Sequence, residues 1–122
     1  MSVMYKDVIT MREVCNSGNT INLYYSRGLK AYMAYGMSAY CAYEFLSSLP
    51  TSYSDDMQMP VVRLTELQVD YLTQRLTSVK CQCDFCCKLV MDRAMSDAGY
   101  DKWASTVRDG GRHSWADLLA VY

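Results

Sequence analysis

Thr20–Ser26 reads TINLYYS, with Ile21, Leu23 and Tyr25 alternating against Asn22, Tyr24 and Ser26. A period of two among β-branched and aromatic residues predicts a half-buried strand. Upstream, KDVITMREVC (Lys6–Cys15) fits two patterns. Met4, Val8, Met11 and Cys15 fall at helical spacing, while Ile9, Met11 and Cys15 share one side of a strand. The turn cluster Asn16-Ser17-Gly18-Asn19 tips the expectation toward strand. Arg27-Gly28 marks a second turn, and LKAYMAYG (Leu29–Gly36) supplies a third strand. The N-terminal part is therefore expected to be an antiparallel β-meander over about residues 5–36. Its rival is a helix from Leu29 to Leu49, with Leu29, Met33, Met37, Cys41 and Phe45 at steps of four, which opens an all-α alternative. Gly36 punctuates that run and Ser38 can cap a helix beginning beyond it, so the strand is preferred.

Ser38–Leu49 then reads as a short helix, and Pro50–Pro60 as the longest loop, bracketed by the only two prolines. Thr65-Glu66-Leu67-Gln68 has the form of a capping box. Neither glycine nor proline interrupts Val61–Ala98. Val69, Leu72, Leu76, Val79, Cys83, Cys86 and Val90 fall at steps of three and four, with Met91 and Ala94 on the flank. Such a stripe predicts one long helix over about residues 65–91, with an apolar seam. At 1.5 Å per residue, Glu66–Met91 would run about 39 Å. A domain of this length is roughly 35 Å across. The helix would either break near Ser78–Gln82 or be covered by a second copy, which makes a homodimer the expected assembly. Ala98-Gly99-Tyr100 looks like a helix stop, Asp101 like the cap of a further short helix, and Ser114–Tyr122 like a final turn or two. The fold class expected from the whole is α+β in one domain, residues 1–122.

Composition narrows the function. Twelve basic and thirteen acidic residues leave a net charge of −1, which argues against a dominant nucleic-acid binder. MSVMYKDVIT lacks the basic start and apolar run of a signal peptide, and no stretch approaches the length of a membrane span. The expected compartment is the cytoplasm, where thiols stay reduced. Six cysteines resemble a disulfide number, but Cys86 and Cys87 are adjacent and neighbours bridge only with strain. Eleven tyrosines and nine methionines are the oddity; both residue types suit cores and interfaces alike.

Four cysteines crowd into KCQCDFCCKLV (Lys80–Val90). A structural zinc site takes two separated ligand pairs, and no second knuckle exists here. On a helix, Cys83 and Cys87 could still join a remote ligand, so zinc through that pair is the alternative to cysteines that only line the seam. Catalysis by His113 with Cys41 or a cluster cysteine, oriented by Asp117, has no spacing to support it. Asp55-Asp56 lacks the spaced oxygens of a calcium loop. Tyr24, Tyr25, Tyr32 and Tyr35 with Arg27 and Lys30 could form a stacking surface for a nucleotide or nucleic acid, or, on a neutral chain, contact area for a protein. The expected interface residues are thus Tyr24, Tyr32, Tyr35, Arg27 and Lys30, together with the seam Val69, Leu72, Leu76, Val79, Cys83, Cys86 and Val90. The function expected is non-enzymatic: a protein-interaction domain, an adaptor or inhibitor of the kind encoded by viruses and mobile elements, which docks on a larger host protein. The alternative is a module binding zinc, a nucleotide or nucleic acid. No cofactor is expected otherwise.

Overall fold

The computed structural model describes residues 2–46, 49–79 and 86–110. In chain order the elements are α1 (Ser2–Val14), β1 (Thr20–Ser26), β2 (Ala31–Tyr35), α2 (Gly36–Leu46), β3 (Thr51–Ser54), β4 (Met59–Leu64), α3 (Glu66–Arg75), β5 (Thr77–Val79), β6 (Cys86–Val90) and α4 (Asp97–Gly110). All six strands join one antiparallel sheet in the order β3-β4-β2-β1-β6-β5. The class is α+β. Among the described residues no helix is long and apolar enough to cross a membrane.

The strand alternation at Thr20–Ser26 is realised with the expected bounds. Ile21 and Leu23 are fully buried and join Ala34, Val62, Leu64 and Leu89 from neighbouring strands in one cluster. Helix α2 covers that face with Met37, Ala39, Cys41 and Ala42, and α3 adds Val69 and Leu72. Asn22 and Tyr24, at the intervening positions, point to the opposite face. There α1 lies across them: Glu13 accepts a hydrogen bond from Asn22, and the Arg12 guanidinium stands 5.9 Å from the Tyr24 ring centroid. The centre of the sheet is thus covered on both sides, by α2 and α3 on one and by α1 on the other. Tyr25, Tyr32 and Cys87 stay half-buried, and β5 is exposed at Thr77 and Ser78.

Four expectations are overturned. The N-terminal meander shrinks to the β1–β2 hairpin, because Ser2–Val14 is a helix. The Asn16–Asn19 cluster ends that helix; it does not separate two strands. Pro50–Pro60 is not a loop but a hairpin arm, with β3 and β4 joined by a turn at Asp55–Gln58. Pro60 is tolerated because β2 pairs no further than Val61, so no ladder donor is required of it on that side.

The long helix over 65–91 does not form. The Thr65 capping box starts α3 as the sequence says, but α3 stops at Arg75 and Leu76 is extended. The chain then enters a β5–β6 hairpin docked on β1, with Leu23 opposite Cys87 and Ile21 opposite Leu89. The predicted seam is cut in two. Val69 and Leu72 are core, Leu76 is half-buried at the cap, and Val79 and Cys86 sit on strands. Leu89, off the helical stripe, is buried in place of Val90. The seam that would have joined two copies is therefore absent. Cys81, Cys83 and the Ser78–Gln82 break fall wholly or partly outside the described residues, as do His113, Asp117 and the last expected helix. Lastly, Gly99 does not stop a helix. It lies in the first turn of α4, whose start Ser96 caps by accepting the Gly99 N–H.

Candidate interaction surface

Helix α1 is mounted with its apolar stripe outward. At about 100° per residue, Val8, Met11, Val14 and Cys15 share one side, and Ile9 and Glu13 share the other. Val8 is 43%, Met11 66% and Val14 77% exposed, while Ile9 is 1% and Glu13 7% exposed. Surface helices of single domains normally bury the apolar side and solvate the charged one. Here Val8, Met11 and Val14 face solvent beside Asp7 while Glu13 is buried with Ile9, and the reason lies in what Glu13 holds.

The Glu13 carboxylate accepts four hydrogen bonds. Oε1 takes the Ser38 backbone N–H at 2.8 Å and the Asn16 amide at 3.2 Å. Oε2 takes the Ser38 hydroxyl at 2.7 Å and the Asn22 amide at 3.0 Å. Ser38 Oγ in turn accepts the Asn22 backbone N–H at 2.8 Å. The carboxylate thereby caps the first turn of α2 from another element and ties α1, β1 and α2 at one point. Gly36, with φ +58°, admits this approach, since a Cβ there would sit 3.2 Å from both Glu13 Cβ and Met59 Sδ. Burial pushes the Glu13 carboxyl above its ordinary value of 4.5, against the lowering pull of its bonds from Asn22, Ser38 and Asn16.

Beside this node lies an open cavity of about 380 Å³, lined by Glu13, Val14, Asn16, Gly36, Met37, Met59, Asp97, Tyr100 and Asp101. It sits where the end of α1 meets the starts of α2 and α4. Three of its lining residues are acidic and none is basic. The surroundings register that charge. The Tyr100 hydroxyl is pushed up to about 12, by burial first and then by Glu13, Tyr53 and Asp101. The Cys41 thiol is likewise pushed up to about 12, by burial and then by Glu13. The Cys41 thiol also donates to the Gly18 carbonyl at 3.3 Å, so it serves the core, while His113 lies outside the described residues.

Helix α4 is fixed by an aromatic cluster that positions Asp97 and Asp101. The Tyr40 ring centroid lies 6.1 Å from that of Tyr100 and 5.4 Å from that of Trp103, and Tyr43 lies 5.3 Å from Trp103. Gly99 lets the helix approach: a Cβ at that position would fall 2.5 Å from the Tyr40 hydroxyl.

The tyrosines expected to share a patch are divided by the sheet. Tyr24 is buried and packs 5.9 Å from half-buried Tyr35 on the α1 side. Tyr32 packs edge-on to Tyr25 at 5.1 Å on the opposite face. Arg27 and Lys30 are exposed in the β1–β2 turn, away from a single stacking platform. Cys87 is half-buried on the core-side face, and Asp55 and Asp56 are exposed in the β3–β4 turn. Among the described residues no three carboxylate, thiol or imidazole groups converge to hold a metal ion. The residues that sequence reasoning missed are Glu13, Ser38 as an acceptor and donor, Val14, Asp97 and Asp101. The sequence marks Ser38 and Asp101 only as helix caps, and the helical spacing of Met4, Val8 and Met11 names the stripe without saying which side it faces; nothing local points to Glu13 or Asp97. Comparison with family models, curated proteins and solved structures found no match to this chain.

Proposed function

We infer that the chain is a non-enzymatic protein-interaction domain, an adaptor or inhibitor that docks on a larger protein in the cytoplasm through the outward face of α1. The observation that carries this reading is the reversed mounting of that helix. Val8, Met11 and Val14 are the apolar side of an amphipathic element, and they face solvent while Ile9 and Glu13 are buried. A helix presenting an apolar stripe is a common mode of recognition between proteins. An origin in a virus or mobile element, whose small factors block larger host machinery, fits a short chain of this kind.

The test is paired affinity capture from the cells that encode the chain, using wild type and the Met11→Ser/Val14→Ser double variant. A specific protein retained by wild type and lost by the variant supports the reading. The same set of proteins on both baits would remove it.

A further inference from the structure

We propose that the cavity between α1 and α4 receives a lysine or arginine side chain from the partner, whose apolar neighbours cover Val14 and Met11. The proposal rests on the interaction reading above and adds the chemistry of the partner. Val14 belongs to both features, since it is the most exposed residue of the stripe and also lines the cavity, so one docked segment reaches both. Glu13, buried, and Asp97 and Asp101, both exposed, line the cavity without a lysine or arginine among the lining residues.

The starts of α2 and α4 both face this cavity, and each carries roughly half a positive charge. They do not reverse its sign. Glu13 already occupies the Ser38 N–H of α2, and Ser96 occupies the Gly99 N–H of α4. Two half charges also fall short of Asp97 and Asp101 alone, before Glu13 is counted. An anionic occupant such as nucleic acid would be repelled, and a cation gains from a partly sheltered, negative pocket. Glu13, saturated by four donors, supplies field and shape, while Asp97 and Asp101 are left to contact the cation.

A second copy of this chain is the less suitable occupant. In a two-fold contact the same patch meets itself, and here that sets one acidic cavity beside another. A heterologous segment with a basic residue flanked by apolar ones satisfies both halves of the surface.

Fluorescence anisotropy with three labelled dodecapeptides tests this. They share apolar positions and differ at one central residue, which is lysine, glutamine or glutamate. Wild type is expected to bind the lysine peptide at least ten-fold more tightly than the glutamine peptide, with the glutamate peptide weakest. Asp97→Asn/Asp101→Asn should erase that preference. Met11→Ser/Val14→Ser should weaken lysine and glutamine peptides alike while keeping their order. Equal affinity of wild type for the lysine and glutamine peptides overturns the cation pocket and leaves the apolar stripe as a docking face. Absence of binding by any peptide overturns it as well. Sedimentation of the chain alone supplies the other arm: a dimer dissolved by Val14→Ser assigns the stripe to a second copy and overturns the choice of partner.

Discussion

At the scale of single residues, Glu13 carries more structure than any apolar side chain of α1. Removing its carboxylate in Glu13→Ala strands the Ser38 N–H and the Asn22 amide, both buried. Unsatisfied buried donors cost about 1–3 kcal/mol each, and the neighbouring cavity can admit water to relieve part of this. Glu13→Ala is therefore expected to lower unfolding stability by about 3 kcal/mol in denaturant titration. Glu13→Gln keeps one acceptor oxygen and should cost roughly half as much at neutral pH. The two differ in pH dependence. Because the folded carboxyl titrates above its ordinary value of 4.5, the folded state holds that proton more tightly than the unfolded chain does. The contribution is fully present below the unfolded value and is lost as pH rises through the folded one. Stability of wild type relative to Glu13→Gln should consequently fall as pH is raised from about 4.5 across that interval. A difference that rises or stays flat would contradict the shift.

At the scale of elements, what could be read depended on whether local pattern or distant pairing decided the outcome. TINLYYS declared itself because its alternation matches the two environments of a sheet covered on both sides. Thr65-Glu66-Leu67-Gln68 declared itself because a capping box is made by the four residues that spell it; both of its hydrogen bonds form, at 3.2 and 2.8 Å. Thr77–Val90 did not. Its stripe of three and four fits a helix, but β1 offers an open edge far back in the chain, and pairing with it buries Leu89 against Ile21. That gain depends on residues more than sixty positions away, so no local window contains it. The two geometries are separable by substitution. Leu89→Ala should cost about 2–5 kcal/mol and Val90→Ala about 1 kcal/mol or less, as a strand requires. A larger loss at Val90 than at Leu89 would restore the helical seam. Gly99 was misread for a related reason, since its role is contact with Tyr40 and not helix termination. Replacing a helical glycine by alanine ordinarily stabilises by up to about 1 kcal/mol. Here the added methyl meets a hydroxyl 2.5 Å away, on a ring held between Tyr100 and Trp103. Gly99→Ala is expected to reverse the sign, to a net loss of about 1 kcal/mol by thermal unfolding.

At the scale of the whole molecule, the covering of the sheet is unequal, and that inequality separates folding from recognition. One face carries the continuous core beneath α2, α3 and α4. The other is crossed by α1, which attaches through Ile9, Arg12 and Glu13 and leaves its apolar stripe unused by the fold. A chain whose stability came from that stripe would lose stability with it. This one should not, because side chains already in water in the folded state have little burial to lose. Met11→Ser/Val14→Ser is therefore expected to unfold within about 0.5 kcal/mol of wild type, while the partner seen by paired capture is lost. The sequence alone could not separate these outcomes, since Met4, Val8 and Met11 read equally well as a core-facing row. The buried Glu13 carboxylate and Ile9 on the far side fix which way the helix turns. If the double variant melted several kcal/mol early, the stripe would be part of the core in solution, and the outward mounting of α1 would have to be given up along with the docking face built on it.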